Sequence, residues 1–310
     1  KISLSSPDDR NGSNYFNTAG FWIESDNGNL ARDSQRYSLT VRDSEFSNNG
    51  IKTSNDDAWV SGLRINTAGN VGDLLINEDS VASGNEDSGF DIFAGNQLRR
   101  VYIADSQASN NGSDYDYTGS PDRKEDAGFY ISSRNKLYNS KFEDLVATGN
   151  NDEGLYIDST TNAVTGVEVE DSVSVSIDVE GILITGEESL FNDNGEDGVK
   201  VEAERGIGGS ESYETIKLEN LTVLNNGNNG AKFASEQEPI QNVTISDGSY
   251  KTNAKHGIYF DFPGQNGNEV DVKDVVVENA SIIGNEISGL VIDSKILSGI
   301  EVINNKINDQ

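Results

Sequence analysis

The sequence predicts an all-β fold, a single-stranded right-handed parallel β-helix of about ten coils. Two observations carry this prediction: a glycine followed by a short alternating strand recurs along the chain, and Asn-rich turns recur with it. A third is that no linker, charge block or change in composition divides the series. We therefore predict one elongated domain, residues 1–310, whose coils contact only their neighbours.

The recurring strand has apolar residues at the first and third positions after its glycine, as Leu155 and Ile157 follow Gly154. Because side chains alternate across a strand, these residues point inward and those between them point outward. Most intervals between the glycines are 26 to 32 residues, which fits one coil of three short strands, and the longer intervals after Gly20 and Gly89 predict an inserted loop or an extra coil. The segments with this pattern are GFWIES (20–25), GLRIN (62–66), GFDIF (89–93), GFYIS (128–132), GLYID (154–158), GILIT (181–185), GVKVE (198–202), GAKFA (230–234), GIYFD (257–261) and GLVID (289–293).

Further strands and turns follow these segments. The strands include RVYIAD (100–105), NVTISD (242–247) and GIEVIN (299–304). Asn and Gly tolerate a positive φ angle, and stacked Asn side chains can form hydrogen-bonded ladders between coils. The Asn-rich turns are SNNG (47–50), SNNG (109–112), NDNG (192–195) and LNNG (224–227).

The chain is strongly acidic. It has 53 Asp and Glu residues against 23 Lys and Arg residues, a formal net charge of −30. Such a surface repels nucleic acid, so we expect no nucleic-acid partner. No stretch approaches the about 20 apolar residues that a membrane-spanning helix needs, so we expect no membrane insertion.

Cysteine and methionine are both absent. A chain without them forms no disulfide and lacks the oxidisable thioether, which fits an extracellular setting or a cell or virion surface. The chain starts at Lys1 and reaches Gln310 within a repeat-like segment. We expect it to be a fragment of a larger secreted protein.

Two C-terminal segments, NVTISDGSYKTNAKHGIYFDF (242–262) and ENASIIGNEISGLVIDSKILSGIEVINNKINDQ (278–310), carry a resemblance to a known family. They resemble the parallel β-helix repeats of secreted carbohydrate-active proteins, in particular the catalytic modules of mannuronan C-5 epimerases. Lys255-His256-Gly257 is a partial counterpart of the Arg-His-Gly motif of those epimerases. Their Tyr-Gly-Phe-Asp-Pro-His-Glu motif has no counterpart, because His256 is the only histidine in the chain. The resemblance implies a polysaccharide partner and a uronan as a possible substrate.

The outward residues of the glycine-led strands predict a saccharide groove, because equivalent positions of a β-helix stack along its axis. Aromatic rings can stack on sugar rings, while charged groups bind hydroxyls or carboxylates. The alternative is a solvated sheet face that alternates Tyr, Lys and Glu for β-propensity and solubility. At the strand that follows Gly181, the same columns contain Leu183 and Thr185. The predicted groove residues are Tyr130, Tyr156, Asp158, Lys200, Glu202, Lys232, Tyr259 and Asp261.

Two sets of residues could carry chemistry at this groove. His256 could act as a general base, with Lys255 neutralising a substrate carboxylate, although an ordinary surface histidine is an open alternative. Glycosidic hydrolysis instead needs two carboxylates, and Asp126 with Asp152 or Glu153 is the best pair; chance proximity is the alternative. The segment 113–124, with Tyr115, Tyr117 and Arg123, could wall a pocket beside that pair.

Stacked carboxylates could also bind Ca²⁺, which prefers six to eight oxygen ligands, so we expect calcium stabilisation at sites that the sequence does not name. No organic cofactor is expected. Two functions stay open: an extracellular module that recognises a polysaccharide and processes it as a lyase, epimerase or hydrolase, and a structural or adhesive solenoid of a surface layer, fibre or tailspike. Neither end shows a capping helix, so we also expect homo-oligomers or assembly through the terminal coils.

Overall fold

The computed structural model describes residues 2–4, 20–25, 29–30, 38–49, 60–112, 126–159, 179–185, 189–208, 215–261 and 271–308. All regular elements of these residues are β-strands. In chain order the strands are β1 (Ile2–Leu4), β2 (Phe21–Ser25), β3 (Leu39–Arg42), β4 (Glu45–Ser47), β5 (Leu63–Thr67), β6 (Val71–Asn77), β7 (Ser80–Ser83), β8 (Phe90–Ala94), β9 (Gln97–Ser109), β10 (Phe129–Ser133), β11 (Lys136–Thr148), β12 (Leu155–Ser159), β13 (Val179–Thr185), β14 (Leu190–Asn192), β15 (Val199–Ala203), β16 (Ile216–Glu219), β17 (Thr222–Leu224), β18 (Ala231–Ser235), β19 (Ile240–Ser246), β20 (Ser249–Lys251), β21 (His256–Asp261), β22 (Asp271–Glu278), β23 (Ser281–Ile283), β24 (Ser288–Asp293), β25 (Ile296–Ile303) and β26 (Lys306–Asn308).

The strands form three faces that wind as a parallel β-helix, as predicted. Face A is a ten-stranded sheet in the order β1-β2-β5-β8-β10-β12-β15-β18-β21-β24. Strand β1 is antiparallel to β2, so the other nine strands of face A mark nine coils in the described residues, close to the about ten predicted. Faces B and C form one sixteen-stranded sheet, because the long strands β9 and β11 continue from one face to the next. Face B ends in β22 and β25, and face C ends in β23 and β26.

The core lies inside the coils and consists of the inward residues of the three faces. Phe90 pairs with Phe129 in register, and their rings stack with centroids 5.0 Å apart. Phe233 and Phe260 repeat this arrangement at 4.8 Å. All four side chains are fully buried. Burying each such side chain stabilises the fold by roughly 1.5–3 kcal/mol, which is why a chain of low overall hydrophobicity can fold when its apolar residues are placed periodically.

An asparagine ladder runs along the turn between faces C and A, as predicted from the Asn-rich turns. The side-chain amide of Asn150 donates to Asn194 Oδ1 at 2.9 Å and to the carbonyl of Ala108 at 3.2 Å. Its own Oδ1 accepts from the amide of Asn111 at 2.9 Å. Each rung therefore satisfies buried polar groups of two coils at once. The ladder consists of Asn49, Asn85, Asn111, Asn150, Asn194, Asn226, Asn253 and Asn285.

One predicted strand lies on a different face from the one expected. GILIT (181–185) belongs to β13, which pairs with β11 and β16 on face B, so Leu183 lies between Lys141 and Lys217. On face A, β12 pairs directly with β15. The physical reason is length: the interval from Gly181 to Gly198 is too short for a three-stranded coil. Leu183 and Thr185 are therefore absent from the face A columns.

The predicted pocket wall, residues 113–124, lies outside the described residues, as do residues 26–28, 31–37 and 50–59 of the long interval after Gly20, where an inserted loop or an extra coil is expected. Among the described residues, no helix has the length and apolar character to cross a bilayer.

Candidate functional site

The predicted groove residues occupy adjacent strands of face A. Tyr130 pairs with Tyr156, and Tyr156 pairs with Lys200. Lys200 pairs in turn with Lys232, and Lys232 with Tyr259. The second outward column repeats this register with Asp158, Glu202 and Asp261 on β12, β15 and β21. All the predicted residues thus form one continuous patch across β10, β12, β15, β18 and β21.

Burial divides this patch into a covered and an accessible part. Tyr156, Asp158 and Lys200 point away from the core of the coil, yet only 0%, 2% and 9% of their surfaces are exposed. By contrast, the side chains of Lys232 and Asp261 are 23% and 22% exposed. Period-two alternation predicts the direction of a side chain but not what covers it, so the sequence did not indicate this difference.

Lys200 is the centre of a charged network. Its Nζ atom lies 3.0 Å from Glu153 Oε1 and 3.4 Å from Glu202 Oε2. It also lies 4.3 Å from the ring centroid of Tyr156, whose hydroxyl donates to Glu202. Burial alone would lower the pKa of Lys200, but the carboxylates of Glu153 and Glu202 outweigh it and raise that pKa. Lys200 is therefore a fully charged cation, held by groups of its own chain.

Glu153 is a buried carboxyl with an altered acidity. Burial, partly offset by Lys200, raises the pKa of Glu153 to about 7. Only 2% of the surface of Glu153 is exposed, and its Oε2 atom has no hydrogen-bond partner within the described part of the chain. A carboxyl that changes charge near neutral pH can donate or accept a proton there, as a general acid or base must.

Asp126, Asp152 and Glu196 stack on successive coils at the start of the face A strands, because the backbone N–H of Glu196 donates to the carbonyl of Asp152 at 3.1 Å. We call these three residues and Glu153 the acidic corner. The backbone N–H of Asp152 donates to the carbonyl of Asp126 at 3.3 Å. Burial, followed by the charges of Asp126 and Glu196, raises the pKa of Asp152 to about 7. Of the predicted carboxylate pairs, the structure thus shows electrostatic coupling for Asp126 with Asp152.

The residue before each opening glycine forms a further column, as expected for His256. The backbone N–H of Gly154 donates to Asp197, that of Gly198 to Asn229 and that of Gly230 to His256, at 2.8 to 3.0 Å. Glu153, Asp197, Asn229 and His256 therefore lie one above another on successive coils. Asp197 accepts two hydrogen bonds from Asn229, one from its backbone and one from its side chain, both at 2.8 Å.

His256 lies at the accessible end of the patch. Its ring centroid is 5.0 Å from that of Tyr259. The hydroxyl of Tyr259 donates to Asp261 at 3.1 Å, and Lys232 pairs with Asp261 at 2.9 Å. Burial and then the charge of Lys255 lower the pKa of His256, so this imidazole is neutral near pH 7. Lys255 itself is exposed beside it.

Sequence reasoning missed one ion pair on the same face. Arg64 Nη1 lies 2.8 Å from Asp91 Oδ2, and both side chains are almost fully buried. The two residues pair in register on β5 and β8, so opposite charges at equivalent positions of neighbouring repeats were the available signal.

Calcium ligands are not evident in the described ranges. The described ranges contain no group of three or more His, Asp or Glu side chains arranged to hold a metal ion. Calcium stabilisation therefore stays a prediction. It would require ligands outside the described ranges or calcium ions held loosely at the acidic surface.

Comparisons with known proteins do not assign the chain to a family. No protein-family model matches the chain, and no curated protein matches it. Among solved structures, the crystal structure of the periplasmic alginate epimerase AlgG is similar, with a TM-score of 0.46 and 14% sequence identity over 86% of this chain. The chain spans about half the length of that epimerase, because the match covers 50% of it. The parallel β-helix assignment itself rests on the strand pairing described above.

Proposed function

We propose that the chain is a module that binds a polysaccharide along face A. The observation that carries this proposal is the in-register patch of tyrosines, lysines and carboxylates on β10, β12, β15, β18 and β21. An extended sugar chain needs such a row, because its repeating rings stack on aromatic side chains while its hydroxyls bind charged groups. Strands about 4.8 Å apart repeat these groups at a regular spacing.

The surface that would contact the sugar is the accessible part of the patch. Tyr130 and Tyr259 are half-buried, so each fixes its ring while leaving part of it open. Lys232 and Asp261 lie beside Tyr259 and offer a donor and an acceptor to sugar hydroxyls. We propose an extracellular or surface location for this module, where polysaccharides are abundant.

Processing of the bound polysaccharide is a second layer of the proposal. Glu153 and Asp152 carry raised pKa values of about 7 and are candidates for general acid and base, with Asp126 as the coupled carboxyl. His256 and Lys255 are the alternative centre, at the other end of the patch. A uronan is the substrate that the family resemblance favours.

The test is a panel of polysaccharides, assayed for binding by calorimetry and for turnover by new reducing ends, unsaturated uronate absorbance and altered uronate composition. Tyr130→Ala should weaken binding of the retained polysaccharide by about tenfold, the loss of one ring contact and its buried area. Tyr138→Ala is the matched control, because Tyr138 is a half-buried tyrosine of the same coil on face B. Equal binding by both variants would contradict the proposed surface.

A structural or adhesive solenoid is the second candidate, and one observation favours it. The C-terminal coil exposes apolar side chains, and for Leu297, Val302 and Ile307 the paired residues of the preceding coil, Val272, Val277 and Ile282, are buried. Exposed strand edges with apolar side chains favour assembly. No binding across the panel, together with concentration-dependent association in sedimentation, would favour this candidate. The exposed residues are Ile287, Ile296, Leu297, Val302, Ile303 and Ile307.

A further inference from the structure

Each cation in the two outward columns of face A, from β5 to β24, lies beside a carboxylate of the chain. The ion pairs are Arg64 with Asp91 at 2.8 Å, Lys200 with Glu153 at 3.0 Å and Lys232 with Asp261 at 2.9 Å. The same columns contain more carboxylates than these three cations, namely Asp91, Asp158, Glu202, Asp261 and Asp293. An acidic sugar that reached these columns would therefore meet cations that are already neutralised.

Lys232 and Asp261 form the pair that a ligand can reach. They lie in β18 and β21, with 23% and 22% of their side-chain surfaces exposed. The hydroxyl of Tyr259 donates to Asp261 Oδ1 at 3.1 Å, whereas Lys232 contacts the other oxygen, Oδ2. Lys232 Nζ also lies 5.8 Å from the centroid of the Tyr259 ring. The ion pair and the ring therefore form one compact group, and we call Lys232, Tyr259 and Asp261 the accessible subsite.

We propose that the accessible subsite binds hydroxyl groups of a neutral saccharide, so that face A selects uncharged sugars over uronates. The inference rests on the proposed polysaccharide-binding function and narrows its substrate class. A sugar hydroxyl both donates and accepts hydrogen bonds, so it can bind Asp261 and Lys232 at the same time without separating them. Both bonds are charge-assisted, and the ring of Tyr259 beside them offers a face on which the sugar ring can stack.

Charged sugars fit this subsite less well. A carboxylate accepts hydrogen bonds but donates none, so a uronate at Lys232 would lie beside the like charge of Asp261. Displacing Asp261 instead would leave that carboxylate without its cation. Lys255, which is exposed beside His256 and lies outside the two columns, is the cation that a uronate would have to use. The net charge of −30 adds long-range repulsion for an acidic chain.

The experiment compares uronate oligomers with the neutral oligomers made from them by reducing their carboxyl groups. The probes are oligomers of mannuronate, galacturonate and glucuronate of equal length, each with its reduced form, titrated calorimetrically into the full chain. Reduction keeps the linkage and the ring stereochemistry, so the two members of a set differ mainly in charge. At least one neutral oligomer should bind, at least about tenfold more tightly than its uronate parent. Added salt should change this neutral binding less than about twofold.

Asp261→Asn and Lys232→Gln test the residues. Asp261→Asn should lower the affinity for the neutral oligomer about tenfold but not that for the uronate, because it removes both a charged acceptor and the like charge. Lys232→Gln should lower the neutral affinity by a similar factor without raising that of the uronate. Glu219→Gln on face B is the matched control, because it also removes the carboxylate of a lysine pair, Lys217 with Glu219 at 2.6 Å. It should change either affinity less than about twofold, and thermal unfolding of each variant confirms that it folds.

The outcomes separate this inference from the proposed function. A uronate oligomer that binds as tightly as its neutral form, and more weakly in Tyr130→Ala and Lys255→Gln, would overturn the selection and leave polysaccharide binding in place. A neutral preference unchanged in Asp261→Asn, or reduced equally in Glu219→Gln, would also overturn it, since the ion pair of the subsite would not be its cause. No binding of any oligomer would overturn both.

Discussion

Lys200 Nζ lies 3.0 Å from Glu153 Oε1, so the ion pair joins two neighbouring coils of face A through their side chains. Glu153 precedes β12, and Lys200 lies in β15. Both side chains are buried: 11% of the side-chain surface of Lys200 and 2% of that of Glu153 are exposed. A buried ion pair of this kind contributes to the fold mainly through the cost of leaving either partner alone.

The first prediction concerns that cost. Lys200→Met should destabilise the chain by about 3 kcal/mol, because it leaves the carboxyl of Glu153 buried without its cation. Adding Glu153→Gln should recover most of the loss. Lys217→Met is the control, since Lys217 and Glu219 form a more exposed pair at 2.6 Å on face B, and it should cost less than about 1 kcal/mol. Chemical denaturation measures the parent chain, Lys200→Met, Glu153→Gln, the double variant and Lys217→Met. Additive single and double variants would contradict the coupling.

The second prediction concerns pH. The folded-state pKa values of Asp152 and Glu153, about 7, lie above their ordinary values of 3.8 and 4.5. Between these limits Asp152 and Glu153 bind more protons in the folded chain than in the unfolded chain, so their contribution to stability falls as pH rises from about 4 to 7. Asp152→Asn should reduce this loss by on the order of 2 kcal/mol. Urea unfolding across this pH range measures it, and an unchanged slope in Asp152→Asn would show that the raised pKa is wrong.

Most of the fold follows from the sequence because one period governs it. Leu155 and Ile157 are inward and buried, and the column from Tyr130 to Tyr259 is in register, as the alternation after each glycine predicts. The Asn ladder also follows from its turns. The pattern after Gly181 predicts a face A strand, and this prediction is wrong. Strand β13 has the same local pattern as a face A strand, and only the spacing to Gly198 distinguishes the two.

The candidate site is less predictable. The sequence placed Glu153 and His256 in one column, and hydrogen bonds between the coils confirm that stacking. It did not predict that Tyr156 would be buried while pointing outward, because burial there depends on what covers the sheet. Nor did it predict the ion pair between Lys200 and Glu153, since the two residues are far apart in sequence and meet only because their coils are in register.

The third prediction concerns the Asn ladder. Asn150→Ala should destabilise the chain by roughly 2–4 kcal/mol, because the variant loses its bonds to Asn111 and Asn194 and leaves buried polar groups unpaired. Asn228→Ala, a half-buried turn asparagine outside the ladder, should cost less than about 1 kcal/mol. Equilibrium unfolding compares the two variants. Similar losses would mean that the ladder adds nothing beyond ordinary turn contacts.

The last prediction concerns calcium and the acidic column between faces B and C. Asp79, Asp105 and Asp144 have positive φ angles of 58°, 45° and 51° on successive coils. Burial, then the charges of Asp144 and Asp79, raises the pKa of Asp105. Relief of this repulsion, by Ca²⁺ or by Asp105→Asn, should raise the melting temperature at low ionic strength, because asparagine tolerates the same φ angle.

The two treatments should not add fully, since each removes the same repulsion, and added salt should reduce both effects. Asp247→Asn is the control, because Asp247 occupies the same kind of turn with a φ angle of 57° in a less acidic part of the column. Scanning calorimetry with calcium and with chelator measures the shifts. A melting temperature that responds to neither calcium nor chelator would contradict calcium stabilisation, and a response unchanged in Asp105→Asn would show that calcium does not act by screening this column.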